Sequence, residues 1–160
     1  MKKMPPIEKI PEAYSAIADG RVAIDEGDEK ANVSSSDRSK GYIVGWKDGI
    51  YSSNDNASYW QGTVGYPIIG VLLLQGKLPL DDAIVTLFRD INWKEINARH
   101  KNNYHLALAE IYAGLEAKGV DVEAIKKNIQ AVYENLERLQ IKIKRSSLRP
   151  PIARKKQAEE

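Results

Sequence analysis

Ile7, Ile10, Tyr14 and Ile17 recur at helical spacing, and Gly20 stands where a C-cap glycine belongs, so the pattern predicts a short helix over about 8–19. Pro11 fits that helix only near its first turn. The period then changes. Residues 21–24 read as a strand, residues 25–29 as an acidic turn, and 31–35 as a weak second strand. Gly41-Tyr42-Ile43-Val44-Gly45-Trp46 alternates, and Asp48-Gly49 is a hairpin signal ahead of Ile50-Tyr51-Ser52. The expectation is a small antiparallel β-meander of three or four strands over about 21–53.

From residue 54 the chain reads as helix and loop. Residues 54–66 are polar, aromatic and glycine-bearing, hence a loop, and 67–75 form a wholly apolar, buried helix. Pro79 opens another helix with Asp81 and Asp82 in its first turn, where the helix dipole favours acids. Asn92 followed by Glu95 resembles a capping box and predicts one long helix over 93–118, stopped by Gly119. Asp121 caps a last helix to about 144. There Val122, Ile125, Ile129, Val132, Leu136, Leu139 and Ile143 follow a 3.5-residue repeat, a coiled-coil seam. Tyr104, Leu108, Ile111 and Leu115 offer an answering face across the short Gly119-Val120 connection, which predicts an antiparallel helical hairpin; an intermolecular coiled coil or homo-oligomer through 122–143 is the other use of the seam. The fold class is therefore α+β. One domain covers 1–141, with its helical half at 79–141, and a tail covers 142–160.

Charge changes this picture at one end. Lys142, Lys144, Arg145, Arg149, Arg154, Lys155 and Lys156 are clustered with no acid among them, although the 160-residue chain as a whole carries only +2. Such a segment, holding Pro150-Pro151 and Ser146-Ser147, suits attraction to a polyanion; as a solvated terminus it would only aid solubility. The absence of cysteine excludes disulfides, thiolate zinc sites, iron–sulfur clusters and cysteine nucleophiles. His100 and His105 are five apart and do not share a helix face. The longest apolar run, 66–74, is far short of the roughly 20 residues of a membrane span. Proline and charge follow the first lysines where a signal peptide needs an apolar stretch, so a cytoplasmic location is expected.

Catalytic chemistry finds no constellation. Phosphate-cradling glycine loops are missing, Ser34-Ser35-Ser36-Asp37 has no nucleophile elbow or histidine beside it, and Asn54-Asp55-Asn56 lacks the rest of a calcium loop. A non-enzymatic protein without metal or cofactor is expected. The aromatic segment 58–66 is more suggestive: Tyr59 and Trp60 beside glycines suit base stacking or a partner's side chain, and equally suit roofing the sheet as core. Arg38, Lys40 and Lys47 would add positive charge beside it.

The order Tyr42-Ile43-Val44, hairpin, Ser52-Ser53-Asn54-Asp55, glycine-bearing loop, then Gly65-Tyr66-Pro67-Ile68-Ile69-Gly70-Val71-Leu72-Leu73 resembles the SWIM zinc-finger family as found in small prokaryotic proteins, and Gly20-Arg21-Val22 looks like the lead-in of such proteins. The resemblance covers 20–76. On its register the four zinc-ligand positions fall on Ser52, Asn54, Gly65 and Pro67, so it implies a degenerate, metal-free module stabilised by packing of Trp46, Tyr51, Tyr59, Trp60 and Tyr66. It also implies DNA binding or protein interaction. The resulting expectation is a nucleic-acid-binding accessory or coating protein using Lys142, Lys144, Arg145, Arg149, Arg154, Lys155 and Lys156 on phosphates, with Tyr59, Trp60, Arg38, Lys40 and Lys47 nearby. The alternative is a protein-interaction adaptor docking through the hairpin or the aromatic loop.

Overall fold

A computed structural model describes residues 2–152. The chain is α+β, with its sheet in the N-terminal half and helices after it. Helix α1 (Lys9–Ala18) leads to β1 (Val22–Asp25), β2 (Lys30–Ser34), β3 (Gly41–Lys47) and β4 (Ile50–Ser53). These four strands form an antiparallel meander with Val22 opposite Val33, Ala31 opposite Val44, and Trp46 opposite Tyr51. Asp48 and Gly49 both have positive φ, 52° and 76°, as a tight hairpin turn matching the strand twist requires.

A fifth strand enlarges the expected meander. β5 (Lys142–Ile143) pairs parallel with β4, placing Lys142 opposite Ile50 and Ile143 opposite Tyr51. Residues predicted as helix and separate tail thus lie within the sheet. The 3.5-residue repeat runs on to Ile143 in sequence, but α7 (Val122–Arg138) ends sooner, because Leu139 has an extended ψ of 129°. The backbone N–H groups of Lys142 and Lys144 then donate to the Gly49 and Tyr51 carbonyls, occupying an edge that β4 would otherwise leave open. Alternation on β5 buries Ile143 just as the helical period would.

Two further expectations are corrected. The segment 54–66 is not all loop: α2 (Asn56–Gln61) is capped by the Asp55 carboxylate, which accepts from Ser58 N, and is ended by Gly62 in the left-handed region. The single helix expected over 93–118 is two, α5 (Trp93–Arg99) and α6 (Tyr104–Ala117). Lys101 and Asn102 between them have φ of 53° and 62°, and the Asn103 side chain caps α6 by accepting from Leu106 N. The helix expected after Pro79 is the five-residue α4 (Asp82–Thr86), with Asp81 as its cap.

Burial explains how the layers join. α3 (Tyr66–Leu74) is apolar around its circumference and buries Pro67 through Leu73 between the sheet and α1. α1 also packs on α4 and α7, and the five seam residues of α7, Val122 to Leu136, are buried. That seam closes against the chain's own helices, including α6, so its apolar face is spent internally rather than on a coiled-coil partner. At the contact of α1 with α4, Trp93 Nε1 donates to Ser15 Oγ, which donates to the Phe88 carbonyl, at 2.7 and 2.6 Å. Among the described residues no helix is long and apolar enough to cross a membrane.

Candidate functional site

β5 decides where the basic residues lie. Backbone alternation on β5 turns Ile143 inward and Lys142 outward, and Lys144 and Arg145 just after the strand are exposed as well. The Arg145 Nε donates to the Tyr59 carbonyl at 3.2 Å, and its guanidinium lies 5.1 Å from the Tyr59 ring centre and 6.0 Å from that of Trp60. The two rings meet edge to face at 4.6 Å, and Trp60 is 61% exposed. Tail and aromatic segment are therefore one patch, joined by a cation stacked on two rings. A second link holds the chain beyond Arg145: Asn54 Nδ2 donates to the Arg149 carbonyl at 3.1 Å. Arg154, Lys155 and Lys156 fall outside the described residues.

Lys47 joins this surface by register, since it pairs with Ile50, which in turn pairs with Lys142. Lys30, not singled out in the sequence, extends it. Lys30 stands opposite Gly45, and Gly45 opposite Ser52, so a shallow strip of small residues lies between exposed lysines on the outer face of the sheet. The exposed–buried alternation of β2 was the signal that could have revealed it. Arg38 and Lys40 do not join the patch. Arg38 donates to the Asp19 carbonyl, while the Lys40 backbone N–H donates to Ser35 Oγ.

Only two charged side chains are buried among the described residues, Arg21 and Asp55. Arg21, 3% exposed, lines a cavity of about 420 Å³ with Arg38, Arg89, Asp19 and Asp90. Its Nη1 donates to the Ser34 carbonyl at 2.7 Å and its Nε lies 3.5 Å from Asp19 Oδ2, so a carboxylate balances its charge. Asp55 has no such cation. It is 6% exposed, and although Oδ2 caps α2, Oδ1 has no hydrogen-bond partner among the described residues. Gly65 packs directly on this carboxylate: a Cβ there would stand 2.2 Å from Oδ2.

Burial pushes the Asp55 carboxyl above the usual range, the nearby Ser53 and Ser58 groups opposing the shift. Burial, with Asp55 and Glu12 adding to it, also pushes the Tyr42 hydroxyl up to about 12. A carboxyl raised by folding contributes stability that is present below its unfolded pKa and lost as pH rises through the folded value. Asp55→Asn should therefore gain stability relative to the unsubstituted chain as pH rises from about 4 to about 8. Urea denaturation of both proteins at the two pH values measures this, and an equal difference at both would contradict a raised carboxyl.

A five-stranded sheet covered on its inner side by helices, with a basic and aromatic outer patch, defines an α+β protein of the class built around one mixed, mostly antiparallel sheet. The chain belongs to the family described as uncharacterised conserved protein UCP014422, whose model matches residues 2–142. No curated protein and no solved structure matches it. The matched residues take in α1 through Lys142, so the family includes the start of β5.

Proposed function

We propose that the protein is a non-enzymatic nucleic-acid-binding accessory or coating protein, whose contact surface is the outer sheet face together with the Arg145–Tyr59–Trp60 stack. The observation that carries this reading is the stack itself. It joins the basic segment to two aromatic rings, one of them largely exposed, and so combines phosphate attraction with a base-stacking platform. Lys47, Lys142 and Lys144 flank it on adjoining strands. The resemblance to the SWIM order of strand, hairpin, loop and helix supports the same role; at two positions that it assigns to ligands, Asn54 Oδ1 accepts from Ile43 N and Gly65 packs on the Asp55 carboxylate.

Titration of the full chain with single-stranded and duplex oligonucleotides at several salt concentrations tests the proposal. Changing Lys142 and Lys144 to Glu together should reduce the magnitude of the log–log salt slope by about 2 on duplex. Trp60→Ala should weaken single-strand binding by about 1–3 kcal/mol with little change of slope. Absence of binding even at about 50 mM salt would remove the reading. The adaptor reading keeps one supporting observation: Trp60 and Leu106 are large apolar side chains left exposed on the aromatic segment and the helical hairpin. Salt-insensitive capture of a protein partner, lost on Trp60→Ala, would favour it.

A further inference from the structure

Asp55 lines a cavity of about 400 Å³ between α1, β3, the α2–α3 segment and the start of α6, a size that admits a small organic molecule. Four aromatic side chains line it: Tyr42, Trp60, Tyr66 and Tyr104. Lys9 and Glu12 line it too, and they show how it treats a cation. The Lys9 ammonium stands 2.9 Å from Glu12 Oε2 and 4.1 Å from the centre of the Tyr104 ring. That pair uses the charge of Glu12. Asp55 makes no ion pair among the described residues, Lys9 acting on it only from a distance, and its side chain is buried and fixed by capping α2 and by the close approach of Gly65.

We propose that this cavity binds a small organic cation, a primary ammonium or guanidinium compound, held by the Asp55 and Glu12 carboxyl groups with its charge among the surrounding rings. Two carboxylates against one lysine disfavour an anion. A hard metal ion would need more oxygen ligands than the two carboxylates supply. The cavity shares Trp60 with the proposed nucleic-acid surface but neither Lys142 nor Lys144, and Asp55 and Lys9, on which the test turns, belong to the cavity alone.

Isothermal titration of the full chain with agmatine, putrescine and choline, at constant ionic strength and with neutral N-butylurea as control, provides the test. At least one cation should bind saturably at one per chain, and the urea should not. Asp55→Asn retains an oxygen to cap α2 and should weaken that binding about tenfold or more. Lys9→Met leaves Glu12 without its internal cation and should tighten it roughly threefold or more. A merely structural Asp55 gives no reason for such tightening. The proposal is overturned if none of the three binds up to about 10 mM, or if binding survives Asp55→Asn undiminished. Should Asp55→Asn fail to fold, Lys9→Met decides: unchanged or weakened binding overturns the proposal, and tightening supports it.

Discussion

Phe88→Ala is expected to destabilise the protein by about 3–5 kcal/mol, a large part of the roughly 5–15 kcal/mol that holds a domain together. The ring is fully buried and meets Tyr14 edge to face at 5.8 Å, in the junction where α4 packs on α1. Its own carbonyl accepts from Ser15 Oγ, which in turn receives the Trp93 indole N–H. Truncation therefore opens a cavity beside a buried polar chain and loosens the position of its acceptor, so the loss exceeds simple transfer of the ring. Urea denaturation should show a lower midpoint with the slope retained. A loss below about 1 kcal/mol would mean that the α1–α4 junction collapses to fill the space, contrary to the packing described.

Gly65→Ala is the second large effect, with an expected cost of about 2–4 kcal/mol and a melting temperature lower by about 5–15 °C. The added methyl would stand 2.2 Å from Asp55 Oδ2 and 2.9 Å from its Cγ, and moving that carboxylate aside would cost α2 its cap. Asp55 is buried and caps α2; Gly65 is buried and begins α3, its N–H donating to Ser58 Oγ. The cost belongs to the pair. Combining Gly65→Ala with Asp55→Ser, which shortens the side chain and keeps a hydroxyl for the cap, should recover most of it. Additive losses in the double variant would place the strain elsewhere.

The parts legible in the sequence were those governed by local pattern. The meander followed from alternation and from Asp48-Gly49; α1, α3 and α7 followed from helical spacing and from Gly20 and Asp121. What escaped depended on tertiary contacts or on single residues that alter the backbone. The seam of α7 kept its period through Leu139 and Ile143 because a strand with its inward residue at Ile143 satisfies the same spacing. Only the open edge of β4 chooses between helix and strand there. The break between α5 and α6 turns on Lys101 and Asn102 taking left-handed backbone, which composition allows but does not demand. For the candidate site, the basic cluster and the aromatic pair were each visible, while their meeting was not, because Tyr59 and Arg145 are brought together by β5. Asp55 was read as part of a polar turn. Its burial comes from Gly65 and α3 closing over it, and no pattern along the chain announces that.

The parallel pairing of β4 with β5 also bears on how the chain acquires its structure. During synthesis the meander can pair within itself soon after β4 is made, yet its β4 edge stays exposed until every helix from α2 to α7 has followed. For that interval the Gly49 and Tyr51 carbonyls stay without their β5 donors beside the apolar Ile50 and Tyr51 side chains, a template on which a second nascent copy can add a strand. Closing the edge requires a contact of long sequence separation, a step that slows folding. Raised protein concentration during refolding should therefore divert molecules into aggregates at this stage, and a free peptide carrying the β5 sequence should compete with that loss.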